Sequence, residues 1–261
     1  MNFAKKSLGQ NFLIDKNIIK KIINLTKVKG RDIIEIGPGK GALTDEILKY
    51  KPKSLSVIEK DYSLAEILKD KFSKNKIIKV YNSDILKFDI EKITMKNSVI
   101  FGNLPYNISS QILVKFLKNK KWPPKYKDLI FMFQKELGAK IIGKFSTSDY
   151  GRLSILTNLR LNFFKKFLIS PNCFFPKPKV TSMVIHFQPK KKQMHNLIDI
   201  NNLEKITNIF FSNKRKMINK NIKKVLSDTQ IKKIKNLDYN LRPADINPEI
   251  YYKITEYFEK K

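Results

Sequence analysis

The stretch Asp32–Thr44, DIIEIGPGKGALT, constrains this chain more than any other. The run Ile33-Ile34-Glu35-Ile36 predicts a buried strand. Gly37, Gly39 and Gly41 follow at alternate positions, and Ala42–Leu48 then opens a helix. Strand, glycine turn and helix in direct succession let a backbone approach a nucleotide-like ligand closely. The next predicted strand, Ser54–Glu59, ends in an acid. A carboxylate there can accept hydrogen bonds from the two hydroxyls of a ribose.

The loop fits two ligands. Gly37-x-Gly39-x-x-Ala42 matches a dinucleotide fingerprint, whereas Gly37-x-Gly39-x-Gly41 behind Glu35 resembles the S-adenosylmethionine loop of methyltransferases. The rest of the chain has to decide. Asp15 caps a helix with apolar positions Ile18, Ile19, Ile22, Ile23 and Leu25, and Asp61 caps another that runs through Phe72. Lys76–Tyr81 predicts a third strand with Ser83-Asp84 directly after it. An acid at that end of a doubly wound sheet faces the ligand crevice, where Asp84 can meet an adenine amine; an ordinary turn or cap is its alternative. A fourth strand, Asn97–Gly102, runs into Asn103-Leu104-Pro105-Tyr106. Asp128–Phe133 predicts a fifth strand, Glu136–Ile142 and Tyr150–Leu159 predict helices, and Leu161–Ile169 and Val180–Phe187 predict two neighbouring strands. The expected fold is therefore α/β, a doubly wound, Rossmann-like, mostly parallel sheet with one antiparallel edge strand. A change in composition at Pro189–Gln193 marks a domain boundary, giving a catalytic domain over 1–189 and a small all-α C-terminal domain over 190–261. Leu203–Leu226 reads as helical, with Asn219 and Asn221 interrupting it, and Asn247-Pro248-Glu249 starts a last helix.

Charge narrows the partner. Lys and Arg number 53 against 23 Asp and Glu, a net charge of +30. An excess of that size repels itself in a compact fold unless it meets a polyanion, and phosphate binding gains from counterion release. Nucleic acid is the expected partner, although a lysine-rich composition can also follow from an AT-rich genome. Lys214–Lys224, KRKMINKNIKK, holds Lys214, Arg215, Lys216, Lys220, Lys223 and Lys224 and no acid. As a helix it would offer a phosphate-binding ridge with Met217, Ile218 and Ile222 turned inward; a solvated face is the plain alternative. Lys177 and Lys179 are further phosphate candidates. One cysteine, Cys173, excludes a disulfide framework, and with His186 and His195 it cannot build an ordinary zinc site. No apolar run has membrane-spanning length and no signal peptide is evident, so a cytoplasmic protein without metal or membrane attachment is expected.

If the task is to methylate the exocyclic amine of a nucleobase, Asn103–Tyr106 can supply the chemistry; an Asn-x-Pro turn after a strand is the plain alternative, disfavoured behind a glycine loop and two strand-end acids. The exocyclic amine of a nucleobase is a poor nucleophile because its lone pair is delocalised into the ring. Two acceptors, the Asn103 side-chain carbonyl and the Leu104 backbone carbonyl, can hold both N–H groups and aim the nitrogen. Pro105 fixes the backbone and removes a competing donor, and Tyr106 offers a face for stacking. Catalysis is then positioning and electrostatics, with no titrating base required.

This tetrapeptide fits the acid-or-amide, any residue, proline, aromatic pattern of amino-methyltransferases acting on adenine or cytosine. The whole chain resembles the KsgA family of ribosomal RNA small-subunit adenine dimethyltransferases. The resemblance is carried by Ser7–Leu13, Glu35–Thr44, Val57–Asp61, Asn103–Ser109, Phe174–Ser182 and Arg242–Asp245. It implies S-adenosylmethionine as the methyl donor, with an N-terminal arm placing Asn11 and Leu13 beside it. Gly37 and Gly39 would lie along it, Glu59 on the ribose, Asp84 on the adenine amine, and Asn103 between donor and target. Phe174 would face the flipped base, core packing being its alternative. The implied substrate is a pair of adjacent adenosines in the 3′-terminal hairpin loop of 16S rRNA, each dimethylated during small-subunit biogenesis; a monomer is expected. The related large-subunit rRNA adenine methyltransferases of macrolide resistance share the site, but Pro38 and Leu104 look like the small-subunit group. A non-catalytic RNA-binding assembly or transcription factor on the same fold is the alternative of another class. A NAD-dependent dehydrogenase would leave Asn103–Tyr106 and the charge unexplained.

Overall fold

The computed structural model describes residues 10–191, 195 and 197–260. Ser7, Leu8 and Gly9 of the arm motif, and Lys192 and Gln193 of the boundary segment, lie outside them. In chain order the elements are β1 (Phe12–Leu13), α1 (Lys16–Ile23), β2 (Asp32–Ile36), α2 (Ala42–Lys49), β3 (Ser54–Glu59), α3 (Tyr62–Lys71), β4 (Ile78–Asn82), β5 (Val99–Asn103), α4 (Ser109–Leu117) and β6 (Asp128–Gln134). Then come α5 (Lys135–Ile141), α6 (Arg152–Arg160), β7 (Leu161–Ile169), β8 (Phe174–Phe175), β9 (Ser182–Pro189), α7 (Ile200–Phe211), α8 (Asn219–Ile222), α9 (Asp228–Lys232) and α10 (Pro248–Glu259).

Seven strands form one sheet in the order β4-β3-β2-β5-β6-β9-β7. The pairs β4·β3, β3·β2, β2·β5 and β5·β6 are parallel. Their C-terminal ends, Asn82, Glu59, Ile36, Asn103 and Gln134, therefore share one edge. β9 runs antiparallel to β6, with Ile130 opposite His186. The reversed strand lies one place in from the rim, and β7 takes the outermost position. The central strands read as apolar runs because both faces of the sheet are covered. Ile33, Ile34, Leu55, Val57, Val99, Ile100, Phe101 and Leu129–Phe133 are all buried.

The predicted caps hold. Asp15 accepts from the N–H groups of Asn17 and Ile18, and Asp61 accepts from that of Ser63. Each leaves the first turn of its helix with fewer unpaired donors. Asn247 does the same for Glu249 at the start of α10.

Two compact units result, and they interleave in sequence. One takes the chain up to Phe116, then Lys121–Gly138 and Asn162–Pro189; the other takes Leu117–Lys120, Ala139–Leu161 and Lys190–Lys261. Composition predicts a single cut after residue 189. The helices between Ala139 and Leu161 instead pack with the C-terminal ones, because buried hydroxyls tie them together. Tyr150 donates to the Ile246 carbonyl at 2.8 Å, and Tyr252 to the Ile155 carbonyl at 2.9 Å. In that second unit the Tyr251 ring lies 5.7 Å from Phe210 and 6.0 Å from Phe211.

The expected helix across Leu203–Leu226 is broken. α7 ends at Phe211, residues 212–217 form an exposed turn, and α8 resumes for one turn. Asn221 explains the break, since its side chain donates to the Ile209 carbonyl at 3.1 Å and folds the chain back onto α7. Lys214, Arg215 and Lys216 thus sit in a turn and not on a helical ridge. All six cations of the segment are exposed and Ile218 and Ile222 are buried, but Met217, in the turn, is exposed and does not face inward.

Candidate active site

A cleft opens at the C-terminal edge of the parallel strands, lined by residues from the arm, the glycine loop and the ends of β3, β4 and β5. It holds about 910 Å³ of empty space, open solvent at its mouth included.

The glycine loop shapes one wall. Gly37, Gly39 and Gly41 all have positive φ, at 68°, 58° and 82°. A Cβ on Gly37 would lie 3.0 Å from the Asn103 carbonyl oxygen, and one on Gly39 would lie 2.7 Å from the Phe12 ring. Left-handed backbone and close approach together demand glycine at both positions. The loop therefore brings the arm and the end of β5 against the same turn.

Glu59 sits at the end of β3, almost buried. Its Oε2 accepts from the Gly39 N–H at 3.1 Å and its Oε1 from the Asp61 N–H at 2.9 Å. Burial raises its carboxyl above the ordinary value, against the pull of those backbone donors. Asp84, past β4, accepts from the Leu86 N–H at 2.9 Å and pairs with the Lys60 ammonium at 2.9 Å. The Lys60 hydrogen bond holds its carboxyl below the usual range. Both carboxylates line the cleft.

Asn103 ends β5. Its side-chain Nδ2 donates to the Asn11 backbone carbonyl at 3.1 Å. With the NH2 so engaged, Oδ1 is the free end of the amide. Leu104 is buried beneath it, and Pro105 and Tyr106 line the cleft. The Tyr106 hydroxyl shares a hydrogen bond of 2.5 Å with Ser182 Oγ, and burial raises the phenol.

The structure thus brings Asn11, Gly37, Gly39, Glu59, Asp84 and Asn103–Tyr106 to one cleft. Two sequence candidates fall elsewhere. Leu13 and Phe174 face each other in the β1·β8 pair and are packed into the hydrophobic core with Ile22 and Val184. Neither lines the cleft, because strand alternation points the pair inward and leaves Phe175 exposed on the other side. Lys177 and Lys179 are exposed on the loop between β8 and β9. Sequence reasoning passes over Lys60, which follows the acid of Val57–Asp61, and Ser182, which closes the Phe174–Ser182 run. Both lie inside stretches already singled out, but their partners are set only by the fold.

The arrangement offers two carboxylates and a glycine turn for a nucleoside-like ligand, and beside them an amide and a backbone carbonyl next to an aromatic ring. A sequence model of the family described as Ribosomal RNA adenine dimethylase matches residues 1–260. The chain belongs to that family. It is 46% identical over 257 residues to the Ribosomal RNA small subunit methyltransferase A of Pelagibacter ubique, covering 98% of this chain and 97% of that one. Among solved structures, a dimethyladenosine transferase from Plasmodium falciparum superposes with a TM-score of 0.76 at 24% identity, covering 95% of this chain and 98% of the other. The 23S rRNA methyltransferase ErmE superposes at 0.67 and 22%, covering 95% and 99%. These two establish the fold. This chain is a methyltransferase whose methyl donor is S-adenosylmethionine. The cleft fits that donor, since two glycines whose Cβ atoms would collide leave room along one wall and two carboxylates stand ready for hydroxyl and amine donors. Among the described residues, no helix is long and apolar enough to cross a membrane.

Proposed function

We propose that this chain dimethylates the exocyclic amines of two adjacent adenosines in the 3′-terminal hairpin loop of 16S rRNA, as a cytoplasmic monomer acting in small-subunit biogenesis. The observation that carries the reading is Asn103–Tyr106 at the end of β5, on the strand edge it shares with Glu59 and Asp84. S-adenosylmethionine supplies the methyl group. Glu59 holds the ribose hydroxyls, Asp84 the adenine amine of the donor, and the turn at Gly37 and Gly39 gives its backbone room.

Asn103 Oδ1 and the Leu104 carbonyl accept the two N–H groups of the target amine and orient its nitrogen. Tyr106 stacks on the flipped base, which is easier to extract from a hairpin loop than from a duplex. The exposed cations Lys177, Lys179, Lys214, Arg215, Lys216, Lys220, Lys223 and Lys224 bind RNA phosphates. The identity to a small-subunit relative over nearly the whole chain favours the small subunit as substrate.

The test supplies labelled S-adenosylmethionine with small and large subunits from a strain lacking both modifications. Label recovered as dimethyladenosine near the 3′ end of small-subunit RNA is the expected result. Label only in the large subunit would reassign the substrate. Donor binding with transfer to neither would leave an assembly factor.

A further inference from the structure

The arm and the Phe174–Ser182 run lie far apart in sequence, yet they form one ribbon. β1 pairs with β8 through Phe12 opposite Phe175 and Leu13 opposite Phe174, and the Ile14 N–H continues the ladder to the Cys173 carbonyl at 2.9 Å. Each strand of this ribbon continues to one end of the target-base tetrapeptide. On the arm side the Asn11 carbonyl takes the Asn103 Nδ2 at 3.1 Å. On the other side Ser182 takes the Tyr106 hydroxyl at 2.5 Å. Ser182 is fully buried and stands opposite Gln134 at the start of β9, so the sheet ladder fixes where its hydroxyl lies.

We infer that Ser182 is a positioning residue for the target base. It anchors the far end of the Tyr106 ring and so sets the width of the slot that receives adenine, as the Asn11 carbonyl fixes which end of the Asn103 amide faces the cleft. The inference rests on the adenine-methylating reading and adds the element that carries the reaction through its second round.

The reason lies in the hydrogen-bond count. In the first transfer the target amine offers two N–H groups to two acceptors, Asn103 Oδ1 and the Leu104 carbonyl. After one transfer a methyl replaces one N–H, and one acceptor loses its partner. Stacking must then hold more of the base's orientation. A Tyr106 ring free to swing about its Cα–Cβ bond tolerates the first substrate better than the second. Because its hydroxyl is engaged by Ser182, Tyr106 acts through its ring face and not as a proton acceptor. Its phenol, raised by burial, agrees with that.

A double-mutant cycle decides the matter. Ser182→Ala and Tyr106→Phe remove the same hydrogen bond from opposite ends, and Tyr106→Phe keeps the stacking ring. The readout is the ratio of monomethyl- to dimethyladenosine in digested small-subunit RNA at partial conversion with the donor in excess, with donor affinity and melting temperature measured alongside. Each single variant should raise that ratio roughly tenfold, the scale of a small misplacement of reacting groups, with unchanged donor affinity. The double variant should be no worse than either single one. A lost core hydroxyl of purely structural value would lower the melting temperature and leave the ratio alone. An unchanged ratio in Tyr106→Phe, or effects that multiply in the double variant, overturns the inference. If Ser182→Ala does not fold, the ratio in Tyr106→Phe alone decides between the two outcomes. Wild-type protein that methylates no ribosomal RNA overturns the adenine-methylating reading and this inference with it, whereas normal transfer with an unmoved ratio overturns the inference only.

Discussion

The two ends of one sheet hold buried carboxylates in opposite ways. At the start of β6, Asp128 receives four side-chain donors. Thr26 Oγ1 and Arg31 Nη1 reach its Oδ2 at 3.0 and 2.7 Å, and His186 Nε2 and Gln188 Nε2 reach its Oδ1 at 2.8 and 2.7 Å. Burial alone would raise this carboxyl, but His186, Arg31 and Gln188 outweigh it and hold the group well below the usual range. At the opposite end, Glu59 is reached, among the described residues, by backbone N–H groups alone, burial prevails, and the carboxyl is raised. A carboxylate has about four acceptor positions. Asp128 has every one filled from inside the protein and ties the α1–β2 connection, β6 and β9 together. Glu59 retains acceptor capacity at the wall of a cleft. A saturated buried acid is architecture, and an undersupplied one beside empty space has acceptor capacity left for a ligand, as the proposed role of Glu59 requires.

The difference can be broken from either end. At the cleft end, Asn103→Ala should cost the largest amount, about a thousandfold in methyl-transfer rate, because it removes an acceptor needed at the moment of reaction. Donor affinity and the unfolding midpoint should stay near wild type in calorimetry and urea titration. At the saturated end, Asp128→Asn should cost about 3 kcal/mol of stability, since Arg31 and His186 lose the charge they face in a buried setting. Urea unfolding measures that loss. A variant that kept its stability but lost donor affinity would erase the contrast between the two ends. Asp84→Asn should weaken donor binding by about tenfold, the scale of one charge-assisted hydrogen bond. Its effect on stability should be small, because the Lys60 partner is half exposed.

How much of this is legible in the sequence follows the same division. The strand ends are legible because they are local. Ser54–Glu59 is predicted with the bounds it has, and the glycine turn, the acid at Glu59 and the position of Asp84 need only the order of strands in a doubly wound sheet. The sequence leaves Phe174 between the base and the core because its neighbour Phe175 is equally apolar, and only the register of β1 against β8 says which of the two points inward. Ser182 carries no signal as a partner of Tyr106, since 76 residues separate them. The helical ridge at Lys214–Lys224 is lost to one side-chain bond, from Asn221 to Ile209. The interleaving of residues 139–161 with the C-terminal helices depends on tyrosine hydroxyls reaching carbonyls about a hundred positions away. Periodicity and turn chemistry report what a residue does to its own segment. They are silent on which distant segment supplies its partner.

Glu35 sharpens the comparison, because it is the most deeply buried acid of the glycine loop and has one side-chain donor, Thr44 Oγ1 at 2.7 Å. Burial pushes its carboxyl up to about 8, the Thr44 bond opposes this, and the charges of Glu59 and Asp45 add to the rise. The folded chain therefore keeps a proton that the unfolded chain releases above about 4.5. Between those two values the folded state binds more protons than the unfolded one, so stability falls as pH rises, by at most about 1.4 kcal/mol per unit. Glu35→Gln keeps a carbonyl for Thr44 and removes the ionisation. Urea midpoints taken from about pH 5 to pH 8 should decline in the wild type and decline less in the variant, with the two curves meeting at the acid end. Parallel curves would mean that Glu35 ionises in place without penalty. It would then have to be supplied with donors as fully as Asp128, and an acid of the cleft end would carry the character of the opposite end.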